Sequence, residues 1–204
     1  MIDLYTWTTP NGRKISIALE EMGLPYAVHP VNLQNEEQFA PDFLRISPNN
    51  KIPAIVDHDN GASVFESSAI LTYLAEKTGQ FLPTAQPDRV RVQEWLAWQT
   101  AGVGPMLGQL NYFLNTADEK IPAAIKRFSD EMIRLFGVLD KQLASHEYVA
   151  GEYSIADMAI YPWSAAAYDA AKATIGDSFK NLENWHDIMS ARPAVRAGML
   201  VPQV

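Results

Sequence analysis

Apolar positions in the first eighty residues change period several times. Ile2 to Trp7 form a short run that predicts a strand, and the Thr8-Thr9-Pro10-Asn11-Gly12 segment ends it. Beyond this turn Ile15, Ala18, Leu19 and Met22 recur at helical spacing until Gly23 stops the pattern. Tyr26 to Leu33 is again β-type. Ala54-Ile55-Val56 and Val64-Phe65 flank Asp57-His58-Asp59-Asn60-Gly61, whose Asn-Gly ending favours an antiparallel hairpin. Ser67 or Ser68 then precedes a helical stripe of Ala69, Ile70, Tyr73 and Leu74 that runs out at Gly79. The order is βαβ, an intervening segment, then ββα, which predicts a small sheet covered by helices.

The pattern changes at Pro83-Thr84-Ala85-Gln86-Pro87, which has two prolines and no periodicity, so 83–87 is read as a linker between domains at 1–82 and 88–204. Only helical patterns follow. Trp95, Leu96, Trp98 and Gln99 belong to a long helix that Gly102, Gly104 and Pro105 should kink or interrupt. Pro122 suits a first helical position, and Ile125, Phe128, Met132, Leu135, Phe136, Leu139 and Leu143 share one apolar face. Ser154-Ile155-Ala156-Asp157 pairs a capping residue with an acid three positions on and is read as a structural helix start. Arg192-Pro193 reads as a turn between short helices.

Composition narrows the chemistry. The 204 residues include no cysteine, which removes disulfides, thiolate metal sites and any protein sulfur nucleophile, so thiol chemistry must use a ligand's thiol. A net charge of −8 opposes binding to phosphate backbones and anionic membrane surfaces. The first residues lack the basic and apolar regions of a signal peptide, and no apolar run reaches membrane-span length; the expected location is the cytoplasm. His29, His58, His146 and His186 lack the spacing of a metal site, so no metal is expected.

Three places can carry chemistry, and each has a plain structural reading beside it. A helix starting after Thr8 to Gly12 points unpaired N–H groups and its positive dipole end at the turn. With the Thr8 and Thr9 hydroxyls and the Asn11 amide, the turn can donate to a bound thiolate and lower its pKa below about 8.5; it also reads as an ordinary cap. Ile52-Pro53 precedes a strand, and a cis bond there would free the Ile52 backbone to pair with a peptide-like ligand, whereas an X-Pro bond is ordinarily trans. Glu66-Ser67, where a strand gives way to a helix, can hold the zwitterionic end of an amino acid or simply cap the helix. Tyr5 lies inside an apolar strand and is read as core rather than as a thiol activator.

Taken in order, Thr9-Pro10-Asn11-Gly12, Ser47 to Ile55, and Phe65-Glu66-Ser67 before Ala69-Ile70-Leu71 resemble the glutathione transferase superfamily. Asn49 to Asp57, with Trp98-Gln99 and Gly104 to Gln109, more narrowly resembles its bacterial nu class, which is related to the yeast prion-forming nitrogen regulator. The resemblance spans essentially the whole chain, the Ser154 to Asp157 cap included.

It implies an α+β, thioredoxin-like N-terminal domain and an all-α C-terminal domain, with Thr9 to Gly12 in place of the usual redox cysteine turn. Thr9 and Asn11 would contact the glutathione sulfur, and Ile52, before a cis Pro53, would pair with its cysteinyl backbone. Glu66 and Ser67 would take the γ-glutamyl end, Gln38 and Lys51 the rest of the tripeptide, and Arg127 would reach it from the helical domain. The class implies a homodimer that reduces small disulfides with glutathione, binding two glutathiones or one oxidised glutathione per site. Conjugation of glutathione to an electrophile and a noncatalytic binding or regulatory role remain the alternatives. Trp7 departs from the closest relatives' pattern and puts the second-ligand pocket in question.

Overall fold

The computed structural model describes residues 1–175 and 178–204. The chain forms two compact units, one of Met1–Pro83 with Ser190–Val204 and one of Thr84–Met189.

The first unit begins β1 (Ile2–Thr6), α1 (Pro10–Glu21) and β2 (Tyr26–Pro30), then continues through two single 3₁₀ turns and α2 (Pro41–Ile46) to β3 (Ala54–Asp57), β4 (Ala62–Phe65) and α3 (Ser67–Thr78). The sheet order is β2-β1-β3-β4. β1 runs parallel to β2, with Leu4 opposite Val28, and antiparallel to β3, with Leu4 opposite Ile55. The expected hairpin joins β3 to β4, with Gly61 at φ 72°. Ile2, Leu4, Ile15, Leu19, Ile55, Ile70 and Leu74 are fully buried. Apolar positions of alternating period on the strands and helical period on α1 and α3 therefore meet in one core.

Asp57, at the end of β3, is buried and holds α3 to the hairpin. It accepts from Tyr73 Oη at 2.6 Å and Asp59 N at 3.0 Å, and pairs with Lys77 Nζ at 2.8 Å. Burial pushes its carboxyl pKa up, but the Lys77 ammonium, the Tyr73 hydroxyl and the Asp59 amide outweigh burial and bring it to about 2.

The helices of 88–204 divide between the units. In the second, α4 (Asp88–Trp98) passes into a wide π-type turn, Gln99–Val103, before α5 (Gly104–Asn111), which places the expected interruption just ahead of Pro105. α6 (Pro122–Leu143) starts at Pro122 and buries Met132, Leu135, Phe136, Leu139 and Leu143. α7 (Ile155–Ile175) follows the predicted cap. Asp157 accepts from Val149 N at 3.0 Å, Ser154 N at 3.1 Å and Trp185 Nε1 at 3.1 Å, yet complete burial raises its carboxyl pKa to about 6. α8 (Lys180–Ala191) leads to α9 (Pro193–Met199).

α9 packs within the first unit, against α1. A Cβ on Gly198 would lie 2.5 Å from the Ile17 Cα, so only glycine permits this approach. Ser16 Oγ donates to the Gly198 carbonyl at 2.6 Å, and Arg192 makes a bidentate pair with Glu21 at 2.7 and 2.8 Å. No helix among the described residues is long and apolar enough to cross a membrane.

Candidate functional site

The site is built at the end of β1, where the chain turns into α1. Gly12 is confined by the strand beneath it, since a Cβ there would meet Thr6 Oγ1 at 2.3 Å and the Trp7 carbonyl oxygen at 2.5 Å. Thr9 is the N-cap, with extended backbone, and its Oγ1 accepts from Gly12 N at 3.2 Å. The cap reading of this residue therefore holds, and the hydroxyl proton remains available as a donor, because a threonine oxygen accepts and donates at once. Pro10 occupies the first helical turn. Thr8 is exposed, and Thr9 and Asn11 are half-buried. Hydroxyl and amide donors thus share the positive end of a twelve-residue helix.

Asn11 borders a pocket lined also by Ser47, Asn49, Lys51, Ile52, Pro53, Phe65, Glu66 and Ser67. Three segments far apart in sequence meet there. Ser47 Oγ donates to the Lys51 carbonyl at 2.8 Å, closing the Ser47 to Lys51 loop, in which Asn50 adopts a left-handed φ of 48°. The Ile52 side chain is committed to an apolar cluster with Val31, Phe43 and Ala54, against which Tyr5 and Trp7 pack. The Ile52-Pro53 peptide is cis. The β1–β3 ladder reaches only Ala54, leaving Ile52 beyond its end.

Glu66 has φ 70° and ψ 117°, a strained backbone for a residue with a side chain. Its Oε1 accepts from Asn49 Nδ2 at 3.2 Å, which ties the β4–α3 junction to the loop before Ile52. Ser67 opens α3. The charge under this junction was not anticipated. Lys14, on α1, is 2% exposed and donates from Nζ to Ser67 Oγ at 3.2 Å. Burial lowers its ammonium pKa to about 7, while Glu66 pulls in the opposite direction.

Among the expected site residues, Asn11, Lys51, Ile52, Pro53, Glu66 and Ser67 line the pocket, and Thr9 belongs to the adjoining turn. Gln38 lies outside the pocket lining, in a 3₁₀ turn before α2, with its Oε1 buried and without a hydrogen-bond partner. Arg127 is an exposed residue of α6 in the second unit, where it helps Arg134 hold the Glu131 carboxyl below its ordinary pKa. Tyr5 is half-buried rather than core: it packs against the Ile52 cluster and stacks on His29 at 4.8 Å between ring centroids, and partial burial raises its phenol pKa. His29 and His58 both approach Asp3, at 3.2 and 2.8 Å, and the described residues contain no cluster able to hold a metal ion.

With this geometry in place, comparison with known proteins identifies the lineage. Residues 8–77 match the N-terminal domain of glutathione S-transferases, and residues 106–193 match the C-terminal domain. The chain belongs to the glutathione transferase family. It is 48% identical over 210 residues to the disulfide-bond oxidoreductase YfcG of Escherichia coli strain K12, covering 100% of this chain and 97% of that one. A glutathione transferase from Pseudomonas putida, solved with one glutathione disulfide per subunit, superimposes with a TM-score of 0.93 at 42% identity, covering 98% of this chain and 91% of that one. A family member from Pseudomonas fluorescens, solved with two glutathiones bound, gives the same TM-score and identity over 98% of this chain and 93% of the other. The glutathione transferase fold, with its four-stranded mixed sheet and helical second unit, is therefore that of this chain.

Proposed function

We propose that the protein binds glutathione and uses its thiolate to reduce disulfides. The observation that carries this reading is a cysteine-free donor turn at the head of α1, beside a pocket that gathers Asn11, Ile52, Glu66 and Ser67. The name of the Escherichia coli relative and the glutathione disulfide in the Pseudomonas putida structure support disulfide reduction over conjugation. Nu-class membership, a homodimeric state and a cytoplasmic location belong to the same reading.

In this mechanism Thr9 and Asn11 donate to the glutathione sulfur and favour its thiolate, assisted by the helix dipole. The Ile52 backbone pairs with the cysteinyl residue, Glu66 and Ser67 hold the γ-glutamyl amine and carboxylate, and Lys51 and Gln38 contact the remaining tripeptide. Arg127 joins this set on the strength of the resemblance alone. The bound thiolate attacks one sulfur of the substrate disulfide. A mixed disulfide forms and the other substrate sulfur leaves as thiolate. A second glutathione thiolate attacks the glutathione sulfur of that mixed disulfide, releasing oxidised glutathione and the second substrate thiolate. Two glutathiones are oxidised for each disulfide reduced.

The test is steady-state turnover with reduced glutathione and a small hydroxyalkyl disulfide, run beside an aryl-halide electrophile. Disulfide reduction should dominate. Replacing Thr9 and Asn11 together with alanine should lower it by at least about tenfold. Unchanged turnover in that double variant would show that the turn stabilises nothing.

A further inference from the structure

We propose that Lys14 is a positioning residue for glutathione: its ammonium fixes the Ser67 hydroxyl as a donor toward the γ-glutamyl carboxylate. The inference rests on the glutathione reading above and deepens it.

A lysine ammonium has three donors and no acceptor, whereas a serine hydroxyl has one proton and two lone pairs. The 3.2 Å contact between Lys14 Nζ and Ser67 Oγ can therefore run in only one direction while Lys14 is charged, with Ser67 accepting. The single proton of Ser67 is then turned away from Lys14 and is free to donate to an acceptor in the pocket that Ser67 lines. A neutral lysine amine carries a lone pair and can accept from Ser67 instead, which withdraws that proton from the pocket. The charge on Lys14 thus sets whether Ser67 is presented as a donor.

The placement makes this charge responsive. Lys14 is 2% exposed, so water stabilises its ammonium poorly, and the pKa near 7 puts both forms within reach at neutral pH. Among the described residues, the Glu66 carboxylate, just before α3, acts on it and favours the charged form. Among the described residues, charges on the elements packed against α1 have partners of their own. Arg192, before α9, pairs with Glu21, Arg196 of α9 donates to the Ala191 carbonyl, and Asp3 of β1 faces His29 and His58. Lys77 of α3 pairs with Asp57 and Asp59, and Glu20 accepts from Tyr26. A carboxylate arriving at Ser67 adds negative charge beside Lys14 and raises its pKa, so binding draws a proton onto the protein.

S-methylglutathione tests this, because it keeps the γ-glutamyl end and lacks a thiol proton. Its binding to the intact protein would be followed by isothermal titration calorimetry at pH 7.5 in buffers of different ionisation enthalpy. The wild type should take up roughly half a proton, and the Lys14→Met variant close to none. At pH 6.5 Lys14→Met and Ser67→Ala should each weaken affinity about tenfold, and the double variant should bind no more weakly than Ser67→Ala alone. No proton uptake by the wild type, equal uptake by Lys14→Met, or additive losses would overturn the role of Lys14. The wild-type uptake needs no variant to fold. Absence of any binding of glutathione or S-methylglutathione to the wild type would instead remove the glutathione reading itself.

Discussion

Two residues at the head of α1 fix how closely the donor turn sits on the strand beneath it. Gly12 has no room for a methyl group against Thr6 and the Trp7 carbonyl, and backbone cannot move aside as a flexible side chain can. Gly12→Ala should therefore destabilise the protein by about 1–3 kcal/mol, read as a lower urea midpoint with an unchanged m-value, and should lower turnover as well. Thr9 separates its two duties by substitution. Thr9→Ala removes the cap to Gly12 and should cost about 1 kcal/mol, whereas Thr9→Ser keeps both the cap and the donor and should retain stability and activity. Lys14 shows what hydrophobic patterning overlooks. A lysine in a helix is ordinarily read as solvent-facing, yet Lys14 lies one turn before Ala18 on the buried side of α1. That spacing was the available signal. Glu66 was legible as a candidate that lines the pocket, but its positive φ was not, because no glycine or asparagine marks the position.

At the scale of elements, the Asp57 network joins the β3–β4 hairpin to α3 and makes a prediction about acid. The folded pKa of Asp57 lies near 2, below its ordinary value of 3.8, so the unfolded chain takes up the proton first as pH falls. The stabilisation is complete above the ordinary value and is lost as pH drops from about 4 toward 2. Thermal melts of Asp57→Asn should show a lower melting temperature than wild type at pH 6 and a smaller further loss between pH 4 and pH 2.5. Long periodic helices and the Asn60-Gly61 hairpin were legible because their signals are local and repeated. α2 and the 3₁₀ turns were not. Each is too short to display a period, and the turn Leu33–Asn35 is held by Asn32 Oδ1, which accepts from Gln34 N and Asn35 N. The position of α9 was equally hidden, since nothing local to Gly198 reveals that Ile17 will lie against it.

For the molecule as a whole, the lack of cysteine sets a condition on the proposed chemistry. Every thiol in the reaction must come from glutathione or the substrate. Treatment with excess iodoacetamide, followed by desalting, should leave disulfide-reductase turnover at its starting value; a thiol-dependent loss would mean that the preparation's activity belongs to another protein. The family and its fold were legible because the Thr9 to Gly12, Ser47 to Ile55 and Phe65 to Ser67 segments stand in a fixed order along the chain.

The pairing of α1 with α9 also sets an order of events during synthesis. The first compact unit is interrupted by Thr84–Met189 and resumes only at Ser190. While that intervening stretch is being made, the helix that carries the donor turn lacks its partner, and the Ile17 backbone and Ser16 hydroxyl have no Gly198 to close on. A nascent chain stalled before Ser190 has every residue of the proposed glutathione pocket but not the α9 contacts of α1. Completion of the site is thereby tied to synthesis of the segment that begins at Ser190 rather than to that of Met1–Pro83 alone.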